Sequence, residues 1–276
     1  MVVDTHVHVV THDRAKYPAA EKAPPWPPNT GDTLVALMDA AGIDRALLVQ
    51  TYFTYGYDNS YMSDTVLAHP NRFLGVCVLD PLSPAAPDEL AALVERRGVR
   101  GIRLMNDRGH NVISIDDPRT FALWERIDAL GIPVCIASLI DDVARVRVPL
   151  QRFPKVKVAI DHIWGLKVGV APAFDLIKPV LELSPFPNFY VKIAVNNSFA
   201  LRESKATPQQ FYGLLVSRFG ANRIMWGSNY PAHSQVHGTL GERKALASKD
   251  LSFLSEADRR WIFGETALAL WPQLRP

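Results

Sequence analysis

Short apolar, β-branched runs recur eight times along this 276-residue chain, and each is followed by a longer segment with helical periodicity. The runs are Val2–Val9, Arg45–Gln50, Phe73–Leu79, Gly101–Met105, Pro133–Ser138, Val156–Asp161, Phe189–Val195 and Arg223–Ser228. Near-continuous apolar strands belong to parallel sheets covered on both faces, and parallel neighbours need a crossover, here a helix. Helical patterns fill the gaps near 31–42, 61–70, 86–98, 119–131, 142–153, 173–184 and 208–220, with a last stretch at 241–271. Gly42, Gly98 and Gly131 stand where a helix should stop before a strand. Asp32, Ser60, Asp117 and Thr207 suit N-cap positions, and Pro118 and Pro208 follow two of them at the first helical position. Eight strand–helix units predict an α/β protein, a single (β/α)8 TIM barrel over residues 1–276. The competing architecture, a doubly wound open sheet, lacks a Gly-x-Gly-x-x-Gly turn after any strand.

Composition narrows the function classes. Hydrophobic residues make up 48% and charged residues 21%, enough for a large core and too apolar for global disorder. The net charge of +2 comes without a basic run, which argues against a nucleic-acid partner. No stretch approaches the roughly 20 apolar residues of a membrane span, so no membrane partner is expected. The N-terminus enters a strand-like run with no positively charged leader, so a secretory signal is not expected. Cys77 and Cys135 lie inside apolar strands and read as small core residues in a reducing compartment. A cytoplasmic location follows as an expectation. The oligomeric state stays open, a homo-oligomer included, because no interface pattern separates from the amphipathicity of barrel helices.

The first strand carries Asp4-Thr5-His6-Val7-His8. Side chains alternate along a strand, so Asp4, His6 and His8 should share one face. Two imidazoles on a rigid strand can hold a metal, move a proton or stabilise a developing negative charge. In barrels of this kind the catalytic groups sit at the C-terminal ends of the strands. Those positions hold Gln50-Thr51-Tyr52, then Arg103 with Asn106 and Arg108, then Ser138, Asp161-His162, Lys192 with Asn196 and Asn197, and Trp226-Gly227-Ser228-Asn229-Tyr230-Pro231 followed by His233. Polar groups converging from separate strands mark an enzyme acting on a small molecule.

The proline-rich segment Lys22–Asn29, with Trp26, follows the first strand and falls on the same face, as a substrate wall or a stiff surface loop. Tyr52, Phe53, Tyr55, Tyr57 and Tyr230 suit a flat or ring-shaped ligand, or the packing of loops on the rim. His12, His69 and His110 belong to no constellation. Trp261, Phe263 and Trp271 read as core.

The ordered motifs resemble the amidohydrolase superfamily, in its amidohydrolase 2 branch, and within it the 2-pyrone-4,6-dicarboxylate lactonases and related sugar lactonases. The residues that carry the resemblance are Asp4–His8, Leu37–Asp44, Val49-Gln50, Tyr55–Asn59, His69–Phe73, Gly98–Arg103, Asp161-His162, Trp226–Pro231 and Phe263–Ala267. The resemblance implies a lactone hydrolase. His6 and His8 match its first-strand pair, and His162 matches a histidine that polarises the scissile carbonyl. Arg103 and Arg108 fall where the lactonases hold a substrate carboxylate, a task suited to a bidentate guanidinium. Tyr52, Tyr55, Tyr230 and His233 complete the expected substrate contacts. Asp161 reads as a supporting partner or a structural strand-end carboxylate.

One position departs from the pattern. The branch usually carries aspartate at the end of the last strand, as metal ligand or general base, and this chain has Asn229. An amide cannot take up a proton at neutral pH and is a poor metal ligand. The expectation is therefore a site without a cofactor, in which His6, His8 and His162 polarise the substrate and Asn229 orients water or substrate. The alternative is Zn2+ or another divalent metal on His6, His8 and His162. His233, His6, His8, Asp4 and Asp161 are candidates for the base. Two further readings stay open: a metal-dependent decarboxylase or other lyase acting on a small unsaturated or aromatic acid, and a non-catalytic ligand-binding relative.

Overall fold

The computed structural model describes residues 1–106, 115–138, 140–163, 174–204 and 206–276. Its eight strands are β1 (Val3–Val7), β2 (Arg45–Val49), β3 (Phe73–Val78), β4 (Val99–Asn106), β5 (Val134–Ser138), β6 (Val158–Ile160), β7 (Phe189–Ile193) and β8 (Ile224–Trp226). They form one sheet in chain order, every adjacent pair parallel. Just past their ends β1 and β8 meet: Asn229 N donates to His6 O at 2.7 Å, and His8 N donates to Tyr230 O at 2.8 Å. Thr5 Oγ1 adds a bond to Trp226 O at 2.7 Å. The result is the expected (β/α)8 barrel.

The helices are α1 (Gly31–Ala41), α2 (Tyr52–Tyr55), α3 (Ser60–Ala68), α4 (Ala86–Arg96), α5 (Phe121–Leu130), α6 (Arg147–Arg152), α7 (Lys178–Leu181), α8 (Val195–Glu203), α9 (Pro208–Phe219), α10 (Ser234–His237), α11 (Leu240–Asp250), α12 (Glu256–Arg260) and α13 (Thr266–Leu270). Gly42 and Gly131 end α1 and α5 in the left-handed conformation, as their positions implied. Thr207 caps α9 in a reciprocal box with Gln210, with Pro208 at the first turn. Asp117 accepts from Arg119 N and opens a short 3-10 turn.

Two expected caps move by a residue or two. Thr30 caps α1 through Thr33 N, and Asp32 lies inside the first turn, 3.2 Å from His69 Nε2. Asn59 precedes α3 in place of Ser60, and its amide bonds both Val78 N and Val78 O. The last helical stretch is three helices, with a π-helical turn at Trp261–Glu265. There Gly264 lies against the chain start, where a Cβ would fall 2.1 Å from Met1 O. The mouth-side helices α2, α8 and α10 lie outside the sequence-expected helix windows.

Two apolar regions hold the barrel. The larger lies between strands and helices and includes Val7, Leu34, Met38, Leu48, Phe73, Trp124, Ile136, Ile160 and Phe189. The smaller fills the barrel floor with Val3, Leu47, Val49, Val76, Ala159 and Met225, closed from below by Ala267, Leu268 and Trp271. Trp271 Nε1 donates to Arg100 O at 2.9 Å, so the large indole is buried with its polar atom satisfied.

Candidate active site

Above the floor, inward positions change character. The next inward residue after Gly101 on β4 is Arg103, Ala159 on β6 is followed by Asp161, and Tyr190 on β7 by Lys192. Asp161, fully buried, is the hub: Arg103 Nε lies 2.9 Å from Oδ2, Lys192 Nζ 3.1 Å from Oδ1 and His6 Nδ1 3.4 Å from Oδ1. Burial by itself would raise the Asp161 pKa, but Lys192, His6 and Arg103 outweigh it and hold the carboxyl well below the usual range. Burial would likewise lower Lys192, and Asp161 with Cys135 reverses that. One carboxylate thus faces two cations, and the floor of the site carries net positive charge.

The imidazoles form the next layer. The His6 ring lies 4.8 Å from that of His8 and 4.1 Å from that of His162, both edge-on. Gly227 is what lets His6 fit, because a Cβ there would come within 2.6 Å of His6 Cβ. All three rings are neutral. Burial pushes His6 well down, aided by His162, and Asp161 only partly opposes it. Burial and the Arg103 charge bring His8 down to about 4. Burial brings His162 down to about 3 against the pull of Asp161.

His8 has a defined tautomer. Val49 O lies 2.7 Å from Nδ1, so a neutral ring carries its proton there, and the Nε2 lone pair points at the Asn229 side chain 3.3 Å away. Asn229 Nδ2 donates to Asn196 Oδ1 at 3.2 Å; a half-turn of the Asn229 amide presents its NH2 to Nε2, and a matching half-turn of Asn196 then lets it donate to Asn229 Oδ1. An aspartate at 229 would instead require a protonated His8. The amide therefore matches the neutral imidazole that burial dictates.

Asp4 does not join the histidine layer. The β1–β2 register shifts between Asp4 and Val7, and Asp4 Oδ1 accepts from His6 N at 3.0 Å and Ser228 N at 2.8 Å, at the β1–β8 seam. Burial raises it to about 6 despite these bonds.

A cleft of about 250 Å3 opens above the rings. His8, Arg103, His162, Asn196, Asn229 and His233 supply its polar lining, and Pro24, Trp26, Phe53 and Ala232 its apolar walls, with Thr51 between. Trp26 stacks on His8 at 5.5 Å. The loop that carries Trp26 is pinned where Asn29 pairs with Val10 and its amide donates to His8 O at 2.7 Å. His162 itself has φ +55, and its carbonyl accepts from Asn197 Nδ2 at 2.7 Å.

Of the residues singled out in the sequence, His8, His162, Arg103, Asn229 and His233 meet in this cleft, and His6 lies directly beneath it. Three tyrosines do not line it. Tyr52 packs on Phe53 and Tyr57, Tyr55 is buried with its hydroxyl accepting from Thr11 N at 2.9 Å, and the Tyr230 ring faces Arg243. Arg108 and His110 fall outside the described residues. Lys192 was visible as a lone lysine in an apolar strand, a signal for a buried ion pair. Asn196, Asn197 and Trp26 carried no comparable signal beyond their place after a strand.

A divalent metal in this cleft would be held by His6, His8 and His162. Among the described residues His6 Nε2 and both ring nitrogens of His162 are buried without a hydrogen-bond partner, and His6 Nδ1 has Asp161 Oδ1 at 3.4 Å. Yet among the described residues no three His, Cys, Asp or Glu side chains converge as ligands. The Asp161 charge is already spent on Arg103 and Lys192, and Asn229 adds none. Two buried cations beside the rings would repel a dication.

Comparison with known proteins places this geometry in a family. The chain is 26% identical over 240 residues to 4-sulfomuconolactone hydrolase of Rhizobium radiobacter, covering 83% of this chain and 75% of that protein. It is 27% identical over 274 residues to L-fucono-1,5-lactonase of Burkholderia ambifaria, covering 91% of each. A structure from Pseudomonas putida, described as a 2-pyrone-4,6-dicarboxylic acid hydrolase, superposes with a TM-score of 0.83 at 24% identity, covering 100% of this chain and 98% of that one. A zinc-bound amidohydrolase of Burkholderia multivorans gives 0.77 at 19% identity over 99% of both chains, and 2,6-dihydroxybenzoate decarboxylase gives 0.68 at 17% over 98% of both. At such identities the structures attest the fold alone. No helix among the described residues is long and apolar enough to cross a membrane. The amidohydrolase family model matches residues 3–273, and the chain is accordingly a member of the amidohydrolase family, a hydrolase-type enzyme on a (β/α)8 barrel.

Proposed function

We propose that this enzyme hydrolyses the ester bond of a small lactone that bears a carboxylate or similar anionic group, without a metal. The observation that carries the reading is the layering: neutral His8 and His162 line a small cleft directly above a floor whose charge is net positive. Arg103 supplies a cation at the cleft wall for the anionic group. The lactone carbonyl oxygen faces His162 and the positive floor, where developing negative charge is stabilised in a dry, prearranged field. Water takes the place of the Asn229 NH2 at the His8 Nε2 lone pair, stays hydrogen-bonded to the displaced amide, and attacks the carbonyl carbon. His8 takes the water proton and returns it to the ring oxygen as the C–O bond breaks, giving the open hydroxy acid. A bound anion also raises the basicity of His8, which burial alone keeps weak. The two lactone-hydrolysing relatives support this reaction class.

The neutral amide at 229 and the paired Asp161 favour the metal-free form over a metal-dependent decarboxylase, and a set-up base favours catalysis over mere ligand binding. The test is turnover of a panel of carboxylated pyrones, muconolactones and sugar lactones, with metal content measured on the same protein. Arg103→Lys should raise KM for the anionic lactones by about 10–100-fold, one strong charge-assisted contact. Failure of the folded wild type to open any of them, or activity that tracks bound metal, overturns the proposal.

A further inference from the structure

Arg243 on α11 is among the most deeply buried side chains of the molecule, 1% exposed, and makes no ion pair with a carboxylate among the described residues. Its donors go instead to backbone carbonyls of one loop. Nη1 reaches Ser228 O at 3.1 Å and Asn229 O at 2.8 Å, Nη2 reaches Ala232 O at 2.8 Å, and Nε reaches Gly238 O at 3.1 Å. The guanidinium also lies 5.2 Å from the centre of the Tyr230 ring. A buried charge needs such a full set of partners, and no lysine could reproduce this fork.

The loop it holds carries two cleft residues in a conformation that side chains disfavour: Asn229 at φ +54 and His233 at φ +53. A left-handed asparagine or histidine costs free energy and persists only where its surroundings over-determine it. Arg243 supplies four of the bonds that hold this loop, beside the seam bonds of Asn229 N to His6 O, His8 N to Tyr230 O and Ser228 N to Asp4 Oδ1. It grips Asn229 by its own carbonyl and grips the residue before His233. The Asn229 amide is in turn what meets His8 Nε2.

We propose that Arg243 is a positioning residue for catalysis: by clamping the Ser228–Ala232 backbone it aims the Asn229 amide at His8 and places His233 at the cleft edge. It touches no reacting atom. The role rests on the lactonase reading only for its kinetic consequence, and the geometry of His8 reports on it separately.

The experiment pairs kinetics with NMR of the full-length protein. Arg243→Lys keeps the charge and loses the fork. It should lower kcat on the lactone found in the panel by about 100-fold, the cost of an ångström-scale misplacement, with KM within about threefold. In a double-mutant cycle with Asn229→Ala, the two losses should be strongly non-additive, because both remove the same contact. Long-range 15N spectra should show His8 Nδ1 still protonated on Val49 O, while the Nε2 resonance moves from its wild-type position in Arg243→Lys because its lone pair loses the Asn229 amide, whether or not any lactone is turned over. Guanidinium added to Arg243→Ala should restore part of kcat. Should the lysine variant fail to fold, Arg243→Gln, which keeps one NH2 donor and loses the fork, takes its place in the same cycle. Additive losses, or an unchanged His8 Nε2 resonance in a folded variant, overturn the clamp. Absence of turnover together with a shifted Nε2 resonance overturns the lactonase reading and leaves the clamp standing.

Discussion

Two layers of the same barrel interior, two residues apart along β4, β6 and β7, are held by opposite means. The floor of Val3, Leu47, Val49, Val76, Ala159 and Met225 is apolar and closed by Trp271. Dispersion and exclusion of water stabilise it, and every substitution there changes volume. The layer above, Arg103, Asp161, Lys192 and His6, is held by charge, with one anion serving two cations. Its partners cannot be removed singly, because each loss leaves a buried charge without compensation. The lesson is that the polar layer stands on the apolar floor and, among the described residues, leaves His6 Nε2 and both His162 ring nitrogens without a hydrogen-bond partner.

The sharpest way to break the comparison is Asp161→Asn. It should cost about 3–5 kcal/mol of unfolding free energy, since Arg103 and Lys192 then confront each other unneutralised. Urea unfolding measures this, and a loss below about 1 kcal/mol, the range of surface pairs, would place the layer among solvated ion pairs. Trp271→Ala tests the floor. It should cost about 3–4 kcal/mol through the cavity left and the orphaned Arg100 carbonyl, while kcat of the protein that remains folded stays near wild type.

The pH dependence of stability separates the layers further. His6, His8 and His162 are neutral in the fold and protonate near pH 6.5 once unfolded, so the unfolded chain binds more protons below that point. Stability should therefore fall as pH drops from about 6.5 toward 4, the folded value of His8. Asp161 adds its own loss only in stronger acid, below the ordinary carboxylate pKa of 3.8. Asp4 works the other way, since its raised value of about 6 makes stability fall as pH rises from about 4 to 6. His237, also lowered to about 4 by burial, adds to the same loss, and four histidines against one carboxyl predict a net loss on acidification, to be read from thermal unfolding at successive pH values. An acid limb that is flat between pH 6.5 and 4 would contradict neutral buried imidazoles.

The gentlest change is Asn229→Asp, which should alter stability least and chemistry most selectively. The new charge should move the His8 titration from about 4 toward neutrality, visible by NMR. Activity should then acquire a pH dependence near neutrality that the wild type lacks.

Much of this was legible before any coordinate. The alternation of apolar runs with helical segments located all eight strands, because burial on both faces of a parallel strand leaves its mark on every residue. Gly42, Gly131 and Thr207 marked helix ends because local backbone chemistry demands those residue types. Asp32 and Ser60 were misplaced as caps because neighbouring Thr30 and Asn59 are equally able, and tertiary bonds to His69 and Val78 decide between them. Asp4 looked like a third member of the histidine face. A register shift in β1, invisible to a period of two, turned it to the seam.

By itself the sequence determined the barrel, the face on which polar groups gather and the identity of His6, His8, His162, Arg103 and Asn229 among the groups that meet there. Periodicity, turn chemistry and strand-end position are local properties, and local properties are written in order along the chain. Only the tertiary structure decided that Asp161 is the ionic hub between Arg103 and Lys192, that His8 is neutral with its lone pair toward Asn229, that Tyr55 packs away from the cleft, and that a buried arginine holds the last loop. Those are statements about charge, desolvation and hydrogen-bond partners between residues tens to hundreds of positions apart. They come into being when the barrel closes and water leaves its interior.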